Sequence, residues 1–143
     1  MDNVLSAAVC GRGIVMPSYV THHIFAATVQ RVTDDTCAHI AEANPAAYRW
    51  GAQGPDPLNY YHAPFPGAVR RLPQRICTEP PAALFEALCH AATQERGTAA
   101  LSYVLGFCTY YALSRVTHAF IAEQADRLVL LMPGYSAEAR RKM

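Results

Sequence analysis

The longest apolar stretch of the chain runs from Ala99 to Ile121, and Arg115 is its only formally charged residue. Apolar side chains fall on nearly every side of a 3.6-residue repeat, which is typical of a helix buried at the centre of a bundle. Tyr110, Ser114 and His118 interrupt this pattern at i, i+4 and i+8, so they lie on one stripe of the helix. We therefore expect a buried central helix whose polar stripe faces any site that the protein has.

Shorter helical patterns flank this stretch on its N-terminal side. They predict a helix from Tyr19 to Val32, a helix capped by Asp34 or Asp35 and ended by Asn44-Pro45, a short helix from Pro45 through Trp50, and a helix from Pro80-Pro81 through Ala92 that is ended by Gly97. The sequence contains no internal repeat. The sequence predicts an all-α fold, with residues 1–15 as a loosely ordered leader and residues 16–143 as a single domain.

The segment 51–81 differs from its surroundings because it contains seven prolines and three glycines. This density excludes a regular helix through most of the segment. Loops of such length inside a domain are usually functional or disordered, and apolar residues such as Leu58 and Phe65 favour order. We expect an ordered loop that helps to form a site.

Composition indicates which binding partners and which cellular compartment to expect. The chain has 143 residues and a formal net charge of +1, so no basic surface argues for nucleic acid. Its five cysteines form no C-x-x-C pair and are odd in number, which favours reduced thiols and a cytoplasmic location. The uncharged run 98–114 reaches only the lower limit of a bilayer span, and no basic residue precedes the apolar N-terminus, so neither a transmembrane segment nor a signal peptide is expected.

Two residues that carry candidate chemistry have ordinary explanations when each is considered alone. His22 lies beside His23 near the start of the first predicted helix, where one of this pair suits an exposed side chain and the other a hydrogen-bonded core histidine. Asp56 lies in the rigid turn QGPDP, where its simplest role is to accept bonds from nearby backbone N–H groups. Neither residue indicates a function without its sequence context.

Three segments are more informative together than apart: MPSYVTH at 16–22, NPAAYRWGAQGPDP at 44–57 with the tyrosine pair 60–61, and the stretch 106–118. In order and spacing they resemble the zinc-dependent phospholipase C family. The likeness extends from Met16 to about Ile121, and the G-x-Q-G-P-D element is its most specific part. The resemblance implies an all-helical fold in which several zinc ions, bound by His, Asp and Glu in a cleft, activate water to hydrolyse a phosphodiester. Divalent cations suit that reaction because they neutralise the phosphate and lower the pKa of bound water.

The resemblance also implies zinc ligands. The family's T-H histidine falls on His22 and its G-P-D carboxylate on Asp56, and the last histidine of its H-x-x-x-D-x-x-x-H helix falls on His118. A further family histidine falls on Cys77, which is either a fourth ligand, since thiolate binds zinc well, or an unligated thiol.

The first two positions of that helical pattern are substituted. They fall on Tyr110 and Ser114, and a neutral hydroxyl cannot replace the charge of a bridging carboxylate. We therefore expect an incomplete zinc site, with at most one zinc per chain and little or no phosphodiester hydrolysis.

Three alternatives remain open at this point. The first is an active metal-dependent phosphodiester hydrolase of phospholipase C type. The second is a non-catalytic helical module that binds a phospholipid headgroup, another phosphodiester or a protein partner through Tyr60, Tyr61, His62 and Tyr110. The third is a truncated gene product that completes its core as a homo-oligomer.

Overall fold

The structure is a computed structural model, and it describes residues 18–61 and 67–131. Its α-helices are α1 (Tyr19–Val32), α2 (Asp35–Ala43), α3 (Pro45–Gly51), α4 (Leu72–Thr78), α5 (Pro81–Gln94) and α6 (Ala99–Leu131), with 3-10 helices at Asp56–Tyr60 and Val69–Arg71. All regular elements in these two ranges are helical, which confirms the all-α prediction. The predicted leader 1–15 and His62 lie outside the described residues, as do the side chains of Cys77 and His118.

The first three helices begin at polar caps, of which the sequence indicated only the second. The Ser18 hydroxyl accepts a bond from the N–H of Thr21 at 3.3 Å, which starts α1. Asp34, rather than Asp35, caps α2 by accepting from a backbone N–H at 3.0 Å. Asn44 caps α3 in the same way at 3.1 Å, and Pro45 occupies the first turn. These side chains satisfy N–H groups that have no partner within the helix.

The proline-rich segment contains more helix than predicted. The two 3-10 helices and α4 all lie between residues 51 and 81, so the expectation of one long loop is wrong over 72–78. Pro73 stands in the first turn of α4, where its missing N–H costs no helical hydrogen bond. Proline therefore starts a helix here instead of excluding one.

Helix α6 is longer and less buried than the sequence pattern indicated. It continues past Ile121 to Leu131, giving 33 residues and a length of about 50 Å. It contacts α1, α2, α3 and α5, so it is central to the bundle. However, Val116 is 73% exposed and Phe120 is 61% exposed, because neighbouring helices of at most 14 residues cover only part of it. The expectation that α6 is buried on every side is therefore wrong. Within the described ranges, no helix is both long and apolar enough to cross a bilayer.

Helices α3 and α6 approach each other more closely than ordinary side chains would allow. A Cβ atom on Gly106 of α6 would overlap the carbonyl oxygen of Tyr48, and one on Gly51 of α3 would overlap the carbonyl oxygen of Tyr103. Glycine at both positions lets the two backbones touch. The contact fixes α3 against α6, and with it the turn that leads to Asp56.

The core beside this contact is built from small residues around one tyrosine. It contains Ala26 of α1, Ala41 of α2, Tyr48 and Ala52, with Leu105 of α6 packed against it. The Tyr48 hydroxyl donates to the carbonyl oxygen of Ala26 at 2.9 Å, so its buried polar group is satisfied.

Candidate functional site

Tyr110 is the centre of a buried polar cluster in the middle of α6. Its side chain is 5% exposed. Its ring stacks on the ring of His22, with centroids 4.9 Å apart and an interplanar angle of 29°. Its hydroxyl donates a hydrogen bond to Oδ1 of Asp56 at 3.3 Å. The structure thus brings together three residues that the sequence singled out from three distant segments.

Local structure explains how the two partners reach Tyr110. His22 lies in the first turn of α1, where its N–H bonds the carbonyl oxygen of Ser18 at 3.1 Å, and its side chain is 2% exposed. Asp56 opens the 3-10 helix that follows the tight turn at Gly54. Gly54 has a φ of +59°, and a Cβ there would overlap the Tyr110 ring. Only glycine combines this backbone conformation with this contact.

Burial makes the ionised form of Asp56 energetically unfavourable in the folded protein. The residue is 8% exposed, and burial raises its pKa from 3.8 to about 6, although the hydrogen bond from Tyr110 opposes the shift. Burial also raises the pKa of Tyr19, and negative charge on Tyr60 and Asp56 raises it further. Tyr19 therefore lies close enough to both Tyr60 and Asp56 to interact with them electrostatically.

Ser114 extends the cluster by one helical turn. It is 8% exposed, and its Oγ atom has no hydrogen-bond partner among the described residues. His118 follows one turn later in α6, and Cys77 lies in α4. Because neither side chain is described, their roles as ligands stay predictions.

The described donors do not fit a zinc centre. Catalytic zinc takes about three protein ligands and structural zinc takes four. Within 18–61 and 67–131, no group of three or more described His, Cys, Asp or Glu side chains is arranged to hold a metal ion. His22 and Asp56 supply two donors of the right chemistry, but both contact Tyr110, whose hydroxyl binds the carboxylate. A zinc ion shared by this pair would have only these two described ligands, and one of them, Asp56, also accepts the hydrogen bond from Tyr110.

The predicted binding residues divide into exposed and buried groups. Tyr60 is 70% exposed and Tyr61 is 50% exposed, so both residues present surface to solvent. Tyr110 is buried and offers a ligand little surface. Sequence reasoning quoted Tyr19 within MPSYVTH and Gly54 within the G-x-Q-G-P-D element, but it assigned a role to neither residue.

Comparisons with known proteins add no relative to this picture. No protein-family model, no curated protein and no solved structure matches the chain. The likeness to the zinc-dependent phospholipase C family therefore rests on the motifs in the sequence.

Proposed function

We propose that this protein is a degenerate relative of the zinc-dependent phospholipase C family, in which a tyrosine-centred cluster replaces the metal cluster. In this proposal the chain folds without zinc, binds at most one zinc ion weakly, and hydrolyses phosphodiesters slowly or not at all. The motifs around His22 and Asp56, together with the all-helical fold, support the family assignment.

The contacts of Tyr110 are the observation that best supports the proposed loss of the metal cluster. Tyr110 falls at a position where the family motif has a ligating histidine, and its side chain contacts both His22 and Asp56. The ring stacking and the hydrogen bond hold these two side chains together through packing, a role that zinc would otherwise fill. One turn later the family aspartate is replaced by Ser114, whose hydroxyl brings no negative charge to neutralise a cation.

A binding role is the second candidate function. It is favoured by the exposure of Tyr60 and Tyr61, which lie at the end of the 3-10 helix that Asp56 opens. Exposed aromatic rings are suited to a cationic headgroup such as that of a phospholipid. This role requires no hydrolysis and is compatible with a degenerate metal site.

Metal analysis and activity test the proposal directly. Protein purified without chelator and then titrated with zinc should contain less than one tightly bound zinc per chain. Turnover of a generic phosphodiester, bis(p-nitrophenyl) phosphate, should be negligible in the same buffer. The double variant Tyr110→His with Ser114→Asp restores the family's ligand types, and we expect it to increase zinc content.

A matched control places the same residue types one position further along α6. The variant Tyr111→His with Arg115→Asp keeps the spacing of four but moves the new ligands away from the cluster, so it should leave zinc content unchanged. Two or more zinc ions bound by the unmodified chain, with hydrolysis abolished by His22→Ala, would refute the proposal and establish a working hydrolase.

A further inference from the structure

The C-terminal half of α6 carries three large apolar side chains that the described helices leave mostly exposed. Val116 is 73% exposed, Phe120 is 61% exposed and Leu128 is 63% exposed. They recur at helical spacing, so they share one broad face of α6, called the distal apolar face below. Burial of such side chains stabilises a protein, so this face is suited to contact with another apolar surface.

The chain direction of α1 relative to α6 follows from two contacts. His22 stacks on Tyr110 of α6. The carbonyl oxygen of Ala26, one turn later in α1, accepts a bond from the Tyr48 hydroxyl, and the backbone of Tyr48 lies against Gly106, one turn earlier in α6. Moving forward along α1 thus corresponds to moving backward along α6. The two helices therefore run antiparallel.

This direction determines where the chain that precedes α1 reaches the bundle. Ser18, the cap of α1, is one turn before His22 and so lies at the level of Ser114 in α6. Val116 follows only about 3 Å further along α6. The segment 1–17 is therefore attached beside the near end of the distal apolar face.

Helix α5 ends its cover of α6 at nearly the same level. Phe85 contacts the rings of Phe107 and Tyr111, with centroid distances of 6.2 Å and 5.2 Å. The short connection 95–98 makes α5 antiparallel to α6. Pro81, where α5 begins, is one turn before Phe85 and so lies about one turn beyond this contact. Both neighbouring helices thus start near the middle of α6, which explains why its second half is exposed.

We propose that residues 1–17 dock on the distal apolar face of α6. Five large aliphatic side chains in this segment suit an apolar surface: Val4, Leu5, Val9, Ile14 and Val15. Only Asp2 and Arg12 are charged. The length also suffices, because 17 residues reach about 25 Å even at the helical rise, whereas the face from Val116 to Leu128 is about 18 Å long.

Tethering favours this segment over a second copy of the chain. A segment attached beside the face has an effective concentration on the order of millimolar, above that of a separate molecule in ordinary solution. Stable interfaces between molecules take about 20–30 residues from each partner, whereas this face has three large apolar side chains. The segment 132–143, which follows α6, carries four charged residues and suits solvent better. The proposal does not depend on whether the protein binds zinc.

Photo-crosslinking in the full chain tests the contact. The probe p-benzoylphenylalanine replaces Phe120 and keeps an aromatic ring at that position. After irradiation, mass spectrometry of the digest should locate most of the cross-linked product in residues 1–17 of the same molecule, at a yield independent of protein concentration. Cross-links mainly to a second copy, mainly to residues 132–143, or to none of these would overturn the proposal.

A matched control carries the probe at Val32, an apolar residue at the far end of α1 that is 78% exposed. Its yield of cross-links to residues 1–17 should be at least about fivefold lower than that from position 120, because the tethered segment is concentrated at the other end of the helix. Equal yields from the two positions would mean that the segment has no preferred contact, and would also overturn the proposal.

Substitutions within the segment test whether the contact is apolar. Val9→Asp with Ile14→Asp should reduce the yield from the probe at position 120 at least about fivefold, because buried carboxylates would lose their hydration. Asn3→Asp with Ser6→Asp adds the same two charges at polar positions, and its yield should stay within about twofold of the parent. All four positions precede Ser18, so neither variant alters a described contact of the bundle. An undiminished yield from the Val9→Asp, Ile14→Asp protein would refute apolar docking.

Discussion

Replacing Asp56 with Asn should stabilise the protein at neutral pH. In the folded state burial raises the pKa of Asp56 from 3.8 to about 6. Each unit of pKa shift corresponds to about 1.4 kcal/mol, so keeping this carboxylate ionised in the folded chain costs up to about 3 kcal/mol. Asparagine carries no charge, and its side-chain oxygen can still accept the hydrogen bond from Tyr110.

The pH dependence of the stability difference tests whether the ionised Asp56 carboxylate is its cause. Since the folded-state pKa is raised, the folded protein binds the proton more tightly than the unfolded chain does. The penalty is therefore absent below a pH of about 4, grows as the pH rises, and is complete above a pH of about 6. The difference in unfolding free energy between Asp56→Asn and the parent should be near zero at about pH 4 and should approach 3 kcal/mol at about pH 7.5. Taking the difference removes the titration of all other groups from the comparison.

Urea denaturation of both proteins at a series of pH values measures this difference. The gain corresponds to an increase of about 10 °C in Tm for a domain of this size, which thermal melting can check. A parent that is as stable as the variant or more stable at pH 7.5, in zinc-free buffer, would refute the reasoning, because it would mean that the carboxylate is well compensated. If zinc stabilised the parent but not the variant, Asp56 would be a metal ligand, and two or more bound zinc ions in the parent would then show that the proposed loss of the cluster is wrong.

Three further substitutions test the packing around the site, each measured as a change in unfolding free energy. Gly54→Ala should cost about 2–4 kcal/mol, because its Cβ would meet the Tyr110 ring in a left-handed backbone conformation. Gly67→Ala, whose Cβ would have no atom of a described residue within 4 Å, should change stability by less than about 1 kcal/mol. Ser114→Ala should be neutral or stabilising by up to about 1 kcal/mol, because it removes a buried hydroxyl that has no described partner; a loss above that size would reveal a bond to Ser114. Tyr48→Phe should cost about 1 kcal/mol because it removes the hydroxyl's buried hydrogen bond to the Ala26 carbonyl oxygen, and an unchanged stability would contradict that account.

Much of the helical pattern was readable from the sequence because helix ends depend on neighbouring residues. Ser18, Asp34 and Asn44 each cap a helix through a backbone N–H three residues later, an interaction that needs no tertiary contact. The same local reasoning failed at Pro73. Proline excludes helix from its interior but favours the first turn, and the apolar pattern alone did not reveal which of these applied.

The sequence by itself determined which residue types could form a site, since the spacing of Tyr110, Ser114 and His118 on one helix follows from helical geometry. Tertiary structure decided that His22 and Asp56 meet at Tyr110, through the glycine contacts that bring α3 against α6 and the turn at Gly54 that directs the following segment onto the tyrosine ring. Tertiary structure also decided how much of α6 is covered. The apolar pattern of α6 indicates which environment each residue prefers, whereas its burial depends on the length and placement of the helices that pack beside it.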